Sequence, residues 1–134
     1  MPLIRIDLLD GREPSQVVQI TDAIHKAIVA EYGIPQRDRF QIITEKKSGH
    51  IVAEDAGLGF ERSSRIIIII QIFTQRGRSV EAKQHLYAAI ASQLLELEIP
   101  GEDIFIGYVE NGPEDWSFSH GRAQYMTGEL SIPA

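Results

Sequence analysis

The sequence predicts an α/β domain made of two β-α-β units in tandem. Three observations carry that prediction: strand-like and helix-like apolar periodicities alternate along the chain, the order of elements occurs twice, and residue matches link the two halves at a near-constant offset. Ile34-Pro35-x-x-Asp38-x-Phe40-x-x-x-x-Glu45 matches Ile99-Pro100-x-x-Asp103-x-Phe105-x-x-x-x-Glu110 at an offset of 65, and Gly11-Arg12 matches Gly77-Arg78 at an offset of 66. The expected layout is one domain over 1–134, with repeats at about 2–45 and 65–110, a polar hairpin and loop insert at 46–64, and a C-terminal arm at 111–134.

Each element has its own signal. From Pro2 to Leu9, apolar Ile4, Ile6 and Leu8 alternate with Arg5 and Asp7, the period of a half-buried strand, and Asp10-Gly11 ends it. Pro14 and Ser15 open a helix in which Val17, Ile20, Ile24, Ala27 and Ile28 recur on one face, closing at Gly33 before Pro35. A second strand runs from Phe40 to Thr44. Arg65 to Phe73 is β-branched and nearly all apolar, as in a central strand covered on both faces. Ser79 starts the second helix, with Ala82, Leu86, Ala89, Ile90 and Leu94 at the same spacing as in the first, and Ile104 to Val109 is the fourth strand. Two such units side by side give four main strands with two helices on one face. The uncovered face is expected to be apolar and to associate with further copies.

Composition narrows the function. With 134 residues, 43% of them hydrophobic and 24% charged, the chain suits an ordinary globule. Its 13 Lys and Arg against 19 Asp and Glu, net charge -6, disfavour nucleic acid or an anionic membrane as partners. The absence of cysteine removes thiolate metal sites, disulfides and a cysteine nucleophile, and suits the cytoplasm. Charged Arg5 and Asp7 interrupt the N-terminal segment, against a signal peptide, and the run Ile66 to Ile70 is too short to span a bilayer.

A few residues carry chemical promise, each with a plainer alternative. Pro2 becomes a secondary amine if Met1 is removed, able to act as acid, base or nucleophile; otherwise it is an edge-strand proline. Gln75-Arg76-Gly77-Arg78-Ser79, at the passage from strand to helix, suits a carboxylate, or is solvated surface. Asp38 and its counterpart Asp103 are either acid-base groups or caps of a turn after proline. Asp115-Trp116-Ser117-Phe118, with Tyr125 and Leu130 beyond, forms an arm over a sheet edge or neighbouring subunit, the wall of an apolar pocket, or both. His25, His50, His85 and His120 lack metal-ligand spacing, so no metal is expected, and Gly57-x-Gly59 lacks the context of a nucleotide loop.

Taken together, the Met-Pro start, the Ile-Pro-x-x-Asp-Arg-Phe segment, Glu54-Asp55-Ala56-Gly57-Leu58-Gly59-Phe60, Phe73-Thr74-Gln75-Arg76-Gly77-Arg78, and Asp115 to Phe118 through Thr127-Gly128-Glu129-Leu130 resemble the malonate semialdehyde decarboxylase branch of the tautomerase superfamily. The resemblance implies a homotrimer with inward-facing sheets, no metal and no organic cofactor. It implies Pro2 as catalytic amine, Asp38 as its polar partner, Arg78 as carboxylate binder with Arg76 as a second, and Trp116, Phe118, Tyr125 and Leu130 as the pocket wall. The implied substrate is a small oxo acid, and the implied reaction is loss of carbon dioxide from 3-oxopropanoate to give acetaldehyde. A keto–enol tautomerase of phenylpyruvate type, or a promiscuous hydratase, would use the same residues. A trimeric binding protein without catalysis is the reading if Met1 is retained.

Overall fold

The computed structural model describes residues 2–63 and 68–132. Along the chain run β1 (Pro2–Leu9), α1 (Pro14–Tyr32), β2 (Phe40–Lys46), β3 (Ile68–Gln75), α2 (Val80–Leu95), β4 (Ile104–Asn111) and a single helical turn, α3 (Gln124–Thr127). The sheet order is β2-β1-β3-β4. Within each half the strands are parallel, β1 with β2 and β3 with β4, while β1 and β3 pair antiparallel at the centre. The parallel pairs require the crossover that α1 and α2 supply.

The helices begin and end where local chemistry places them. Pro14 occupies the first turn of α1 and the Gln16 side chain accepts from the Glu13 N–H, 2.9 Å away. Gly33 ends α1 in the left-handed region, φ 64°, its N–H bonded to the Val29 carbonyl at 2.9 Å. The Ser79 hydroxyl caps α2 by accepting from the Ala82 N–H at 3.1 Å.

Ile4, Ile6 and Leu8 of β1 and Ile68, Ile70 and Ile72 of β3 meet Ile20, Ile24 and Ile28 of α1 and Leu86, Ile90 and Leu94 of α2 in one core. Both helices therefore lie on one face of the sheet.

Several expectations need correction. The isoleucine strand is covered on one face only: Ile68, Ile70 and Ile72 are fully buried, while Ile69, Gln71 and Phe73 on the opposite pleat are partly exposed. It reaches Gln75, and residues 65–67 of the predicted strand lie outside the described residues. The open face is not uniformly apolar. Register places an apolar row, Leu3, Phe40, Phe73 and Val109, at one end, and then Arg5, Asp7, Gln71 and Thr44 interrupt it. No hairpin forms within 47–63. That segment is a loop, held by the Asp55 carboxylate, which accepts from the N–H groups of Gly57 and Gly59 at 3.0 and 2.9 Å, and by the Glu61 N–H and Arg62 guanidinium, which bind Glu102. Among the described residues no helix is long and apolar enough to cross a membrane.

Candidate active site

Strand register brings the predicted residues to one end of the sheet. Pro2 is buried at the start of β1, opposite Thr74 of β3, which is in turn opposite Glu110 of β4. These three share the helix-covered face. The next row, Leu3 with Phe40, Phe73 and Val109, points to the other side.

On the open side stands an aromatic wall. Phe118 lies 5.9 Å from Phe40, stacks 6.3 Å from Trp116 with an 18° tilt, and meets Tyr125 edge-on at 5.3 Å. Burial foremost, and the charge of the Asp38 carboxylate next, raise the Tyr125 phenol pKa, so Asp38 lies within electrostatic reach of this wall. Asp38 itself is partly buried in the turn after Pro35, its N–H bonded to the Pro35 carbonyl at 3.0 Å.

The wall is fastened to the arginine turn through Asn111. Its side-chain oxygen accepts from the Trp116 indole N–H at 2.8 Å, and its backbone carbonyl accepts from the Arg76 N–H at 2.7 Å. The Arg76 guanidinium is exposed, 3.8 Å from the Glu114 carboxylate. Arg78 goes the other way, to the helix side. Its guanidinium lies 4.0 Å from the centre of the Tyr32 ring, and the Tyr32 hydroxyl is 3.1 Å from that of Tyr108. Lys83, 2.8 Å from Glu110, completes this side. Gly77, φ 127°, makes the turn that sends the two arginines in different directions.

Gln124 orders the arm. Buried at 7% exposure, it donates to the Ser119 carbonyl at 2.8 Å, accepts from the Phe118 N–H at 2.9 Å, and its own carbonyl accepts from the Leu130 N–H at 3.1 Å. Leu130 is 42% exposed, outside the aromatic cluster. Arg122 pairs with Glu129, and His120 holds a left-handed turn, φ 57°. The residues that the sequence did not single out are Phe40 as a wall member, Asn111, Gln124 and Tyr32. Phe40 had a signal, since it stands two positions after Asp38 in a repeated motif.

Duplication gives the opposite end of the sheet a counterpart. Offsets of 65 and 66 pair Arg78 with Arg12, Tyr32 with Leu97, Asp38 with Asp103 and Pro2 with Ile68. Arg12 there lines a cleft of about 890 Å³ with Gln16, Gln19, Ser48 and Leu97, donates to the Leu9 carbonyl at 3.1 Å, and lies near Glu45 and the fully buried Asp103. Burial lowers its pKa, against the pull of the two carboxylates. Here the Arg12 guanidinium bonds a backbone carbonyl, and Ile68 stands in the place of Pro2.

Two models for a family described as "Tautomerase enzyme" match the chain, over residues 38–119 and 2–61, together covering both halves. The chain belongs to the tautomerase family. Among curated members of this family, the probable tautomerase YrdN of Bacillus subtilis (strain 168) is 39% identical over 97% of this chain and 100% of its own length. YusQ of the same organism, also named a probable tautomerase, is 34% identical over 94% and 99%. The crystal structure of FG41 malonate semialdehyde decarboxylase inhibited by 3-bromopropiolate matches this tautomerase-family fold with a TM-score of 0.94 at 53% identity, covering 98% of this chain and 99% of that one. A second malonate semialdehyde decarboxylase, described for its decarboxylase and hydratase activities, matches with 0.90 at 36% identity over 96% and 98%. The chain is thus homologous to a carboxy-lyase and to tautomerase-family enzymes. The fused 4-OT trimer, TM-score 0.77 at 20% identity over 94% of this chain and 98% of that one, shares the fold.

Proposed function

We propose that this chain decarboxylates 3-oxopropanoate to acetaldehyde and carbon dioxide as a homotrimer, using the Pro2 amine exposed by removal of Met1. The observation that carries the reading is that one end of the sheet carries Pro2 at the start of β1, an aromatic wall of Trp116, Phe118 and Tyr125, and the ring-stacked Arg78 after β3. The 53% identity to FG41 malonate semialdehyde decarboxylase supports it.

In the proposed reaction Arg78 holds the carboxylate so that the breaking C–C bond lies along the carbonyl π system, and the exposed Arg76 adds positive charge at the mouth of the site. Protonated Pro2 donates a hydrogen bond to the aldehyde oxygen, which accepts the electron pair left by departing carbon dioxide. The enolate so formed takes a proton from water at carbon and becomes acetaldehyde. Asp38 favours the cationic form of Pro2, the two arginines oppose it, and the substrate's own charge offsets the arginines. The aromatic wall keeps the carboxylate poorly solvated, which favours its conversion to a neutral product.

The names of the curated relatives favour a second reading, keto–enol tautomerisation, in which neutral Pro2 moves a proton. Rates on 3-oxopropanoate and phenylpyruvate, an intact mass spectrum, and the variants Arg78→Ala and Arg76→Ala decide between them. The expected outcome is loss of one methionine from the active protein, faster decarboxylation than tautomerisation, and a kcat/KM loss of about 3 kcal/mol or more for Arg78→Ala, with less for Arg76→Ala. Met1 retained in a fully active preparation sinks the Pro2 mechanism. Tautomerisation far exceeding decarboxylation moves the assignment to the second reading.

A further inference from the structure

Tyr32 and Tyr108 lie 76 residues apart, one on each half of the duplicated chain, yet their hydroxyls are 3.1 Å from each other. The Tyr32 ring carries the Arg78 guanidinium on its face at 4.0 Å. Arg78 follows Gly77 on a turn, so its long side chain needs an outside restraint to hold one plane. Among the described residues it makes no hydrogen bond or ion pair, and the stacked ring leaves its N–H edges free for a planar anion.

Tyr32 is itself fixed at its far end. Tyr108 is in register with Ile72 of β3, meets Tyr87 edge-on at 6.3 Å, and has the Lys83 ammonium 4.8 Å from its ring centre. Burial raises the Tyr32 phenol pKa, which keeps a proton available for the phenol–phenol bond. The other end of the sheet supplies the contrast. There Leu97 stands in the place of Tyr32, and Arg12 uses its guanidinium on a backbone carbonyl.

We propose that Tyr32 and Tyr108 are positioning residues for Arg78: the Tyr32 ring sets the plane of the guanidinium, and the bond to Tyr108 sets the ring. The inference deepens the proposed function and rests on Arg78 as the carboxylate binder. Its product is a pre-oriented carboxylate fork, whose loss appears in substrate affinity before it appears in turnover.

The test compares Tyr32→Leu, Tyr32→Phe, Tyr108→Phe, the double Phe variant and Arg78→Ala. KM for 3-oxopropanoate and the inhibition constant of malonate are measured for each, and the ring-current shift of the Arg78 side-chain protons by NMR for the parent and the tyrosine variants. Tyr32→Leu is expected to raise KM and the malonate constant about tenfold, the scale of a partly desolvated cation–π contact, with a smaller change in kcat. It also abolishes the ring-current shift, whereas Tyr32→Phe keeps that shift and recovers most of the affinity. Because both single Phe variants delete one shared bond, the double variant should be no worse than either. Unchanged affinity and unchanged Arg78 resonances in Tyr32→Leu overturn the proposal, as does Tyr32→Phe proving as damaging as Tyr32→Leu. If Tyr32→Leu does not fold, additive losses in the two Phe variants overturn it. Arg78→Ala with unaltered KM and malonate constant instead overturns the carboxylate-binding reading, while the NMR shift still reports the stack.

Discussion

Tyr32, Tyr87 and Tyr125 all hold their phenol protons more tightly than a tyrosine in water, and burial is the first cause in each. A raised pKa in the fold means that the native state keeps a proton that the unfolded chain releases near pH 10. The associated stability is therefore fully present below about pH 10 and is lost as pH climbs through the higher native values. Urea unfolding is expected to weaken with rising pH above that point, with a shallower decline in Tyr32→Phe. In a spectrophotometric titration, native phenolate absorbance should lag behind that of the urea-unfolded chain. Ionisation of Tyr32, Tyr87 and Tyr125 at the ordinary value in the native protein would contradict this. The residues of the candidate site were legible in the sequence only in combination, since arginines at a strand-to-helix turn, an aspartate after a proline turn and a lone tryptophan each have a plainer reading alone. Tyr32 was not, since it looks like any residue in the last turn of an amphipathic helix until α1 and α2 are packed side by side.

Strands and helices were legible wherever burial imposes a period, which is why β1 and α1 occur close to where alternation and helical spacing put them. Segments held by side chains bonding to backbone carry no period. The loop at 47–63 and the arm beyond Asn111 are of that kind, and the first was misread as a hairpin. Gln124 is the clearest case, since its side-chain amide accepts from the Phe118 N–H and donates to the Ser119 carbonyl. Replacing it by alanine removes two hydrogen bonds to partly exposed backbone groups, at a cost of about 0.5–1.5 kcal/mol each, confined to the arm. Gln124→Ala is expected to make the single tryptophan, Trp116, more accessible to acrylamide quenching. The same variant should leave the urea midpoint of the helical signal nearly unchanged. Quenching equal to that of the parent protein would show that the arm is held by its aromatic contacts alone.

At the scale of the whole molecule, the sheet has two open edges, β2 and β4, and one face without helices. Exposed Phe40, Ile42, Phe105 and Val109 cluster on that face and at those edges, a pattern that suits a self-complementary contact better than bulk water. Arg5, Asp7 and Gln71 at its centre give the contact polar partners and a register. Light scattering at micromolar concentration is expected to give the mass of three copies, and Phe105→Lys to give smaller species with helical content retained. A parent protein running as a monomer would remove the assembly from the proposed function.

The αL position after each main helix is filled differently in the two halves: Gly33 at φ 64° after α1, Glu98 at φ 65° after α2. A glutamate there carries a strain that glycine does not, on the order of 1 kcal/mol. In an assembly of identical short subunits, one codon writes every copy, so relaxing a position at an idle end would also alter the working one. Here the two ends are written separately. Drift at Glu98, Leu97 or Ile68 leaves Gly33, Tyr32 and Pro2 untouched, so under the proposed function selection can maintain one end for chemistry while the other answers only to folding.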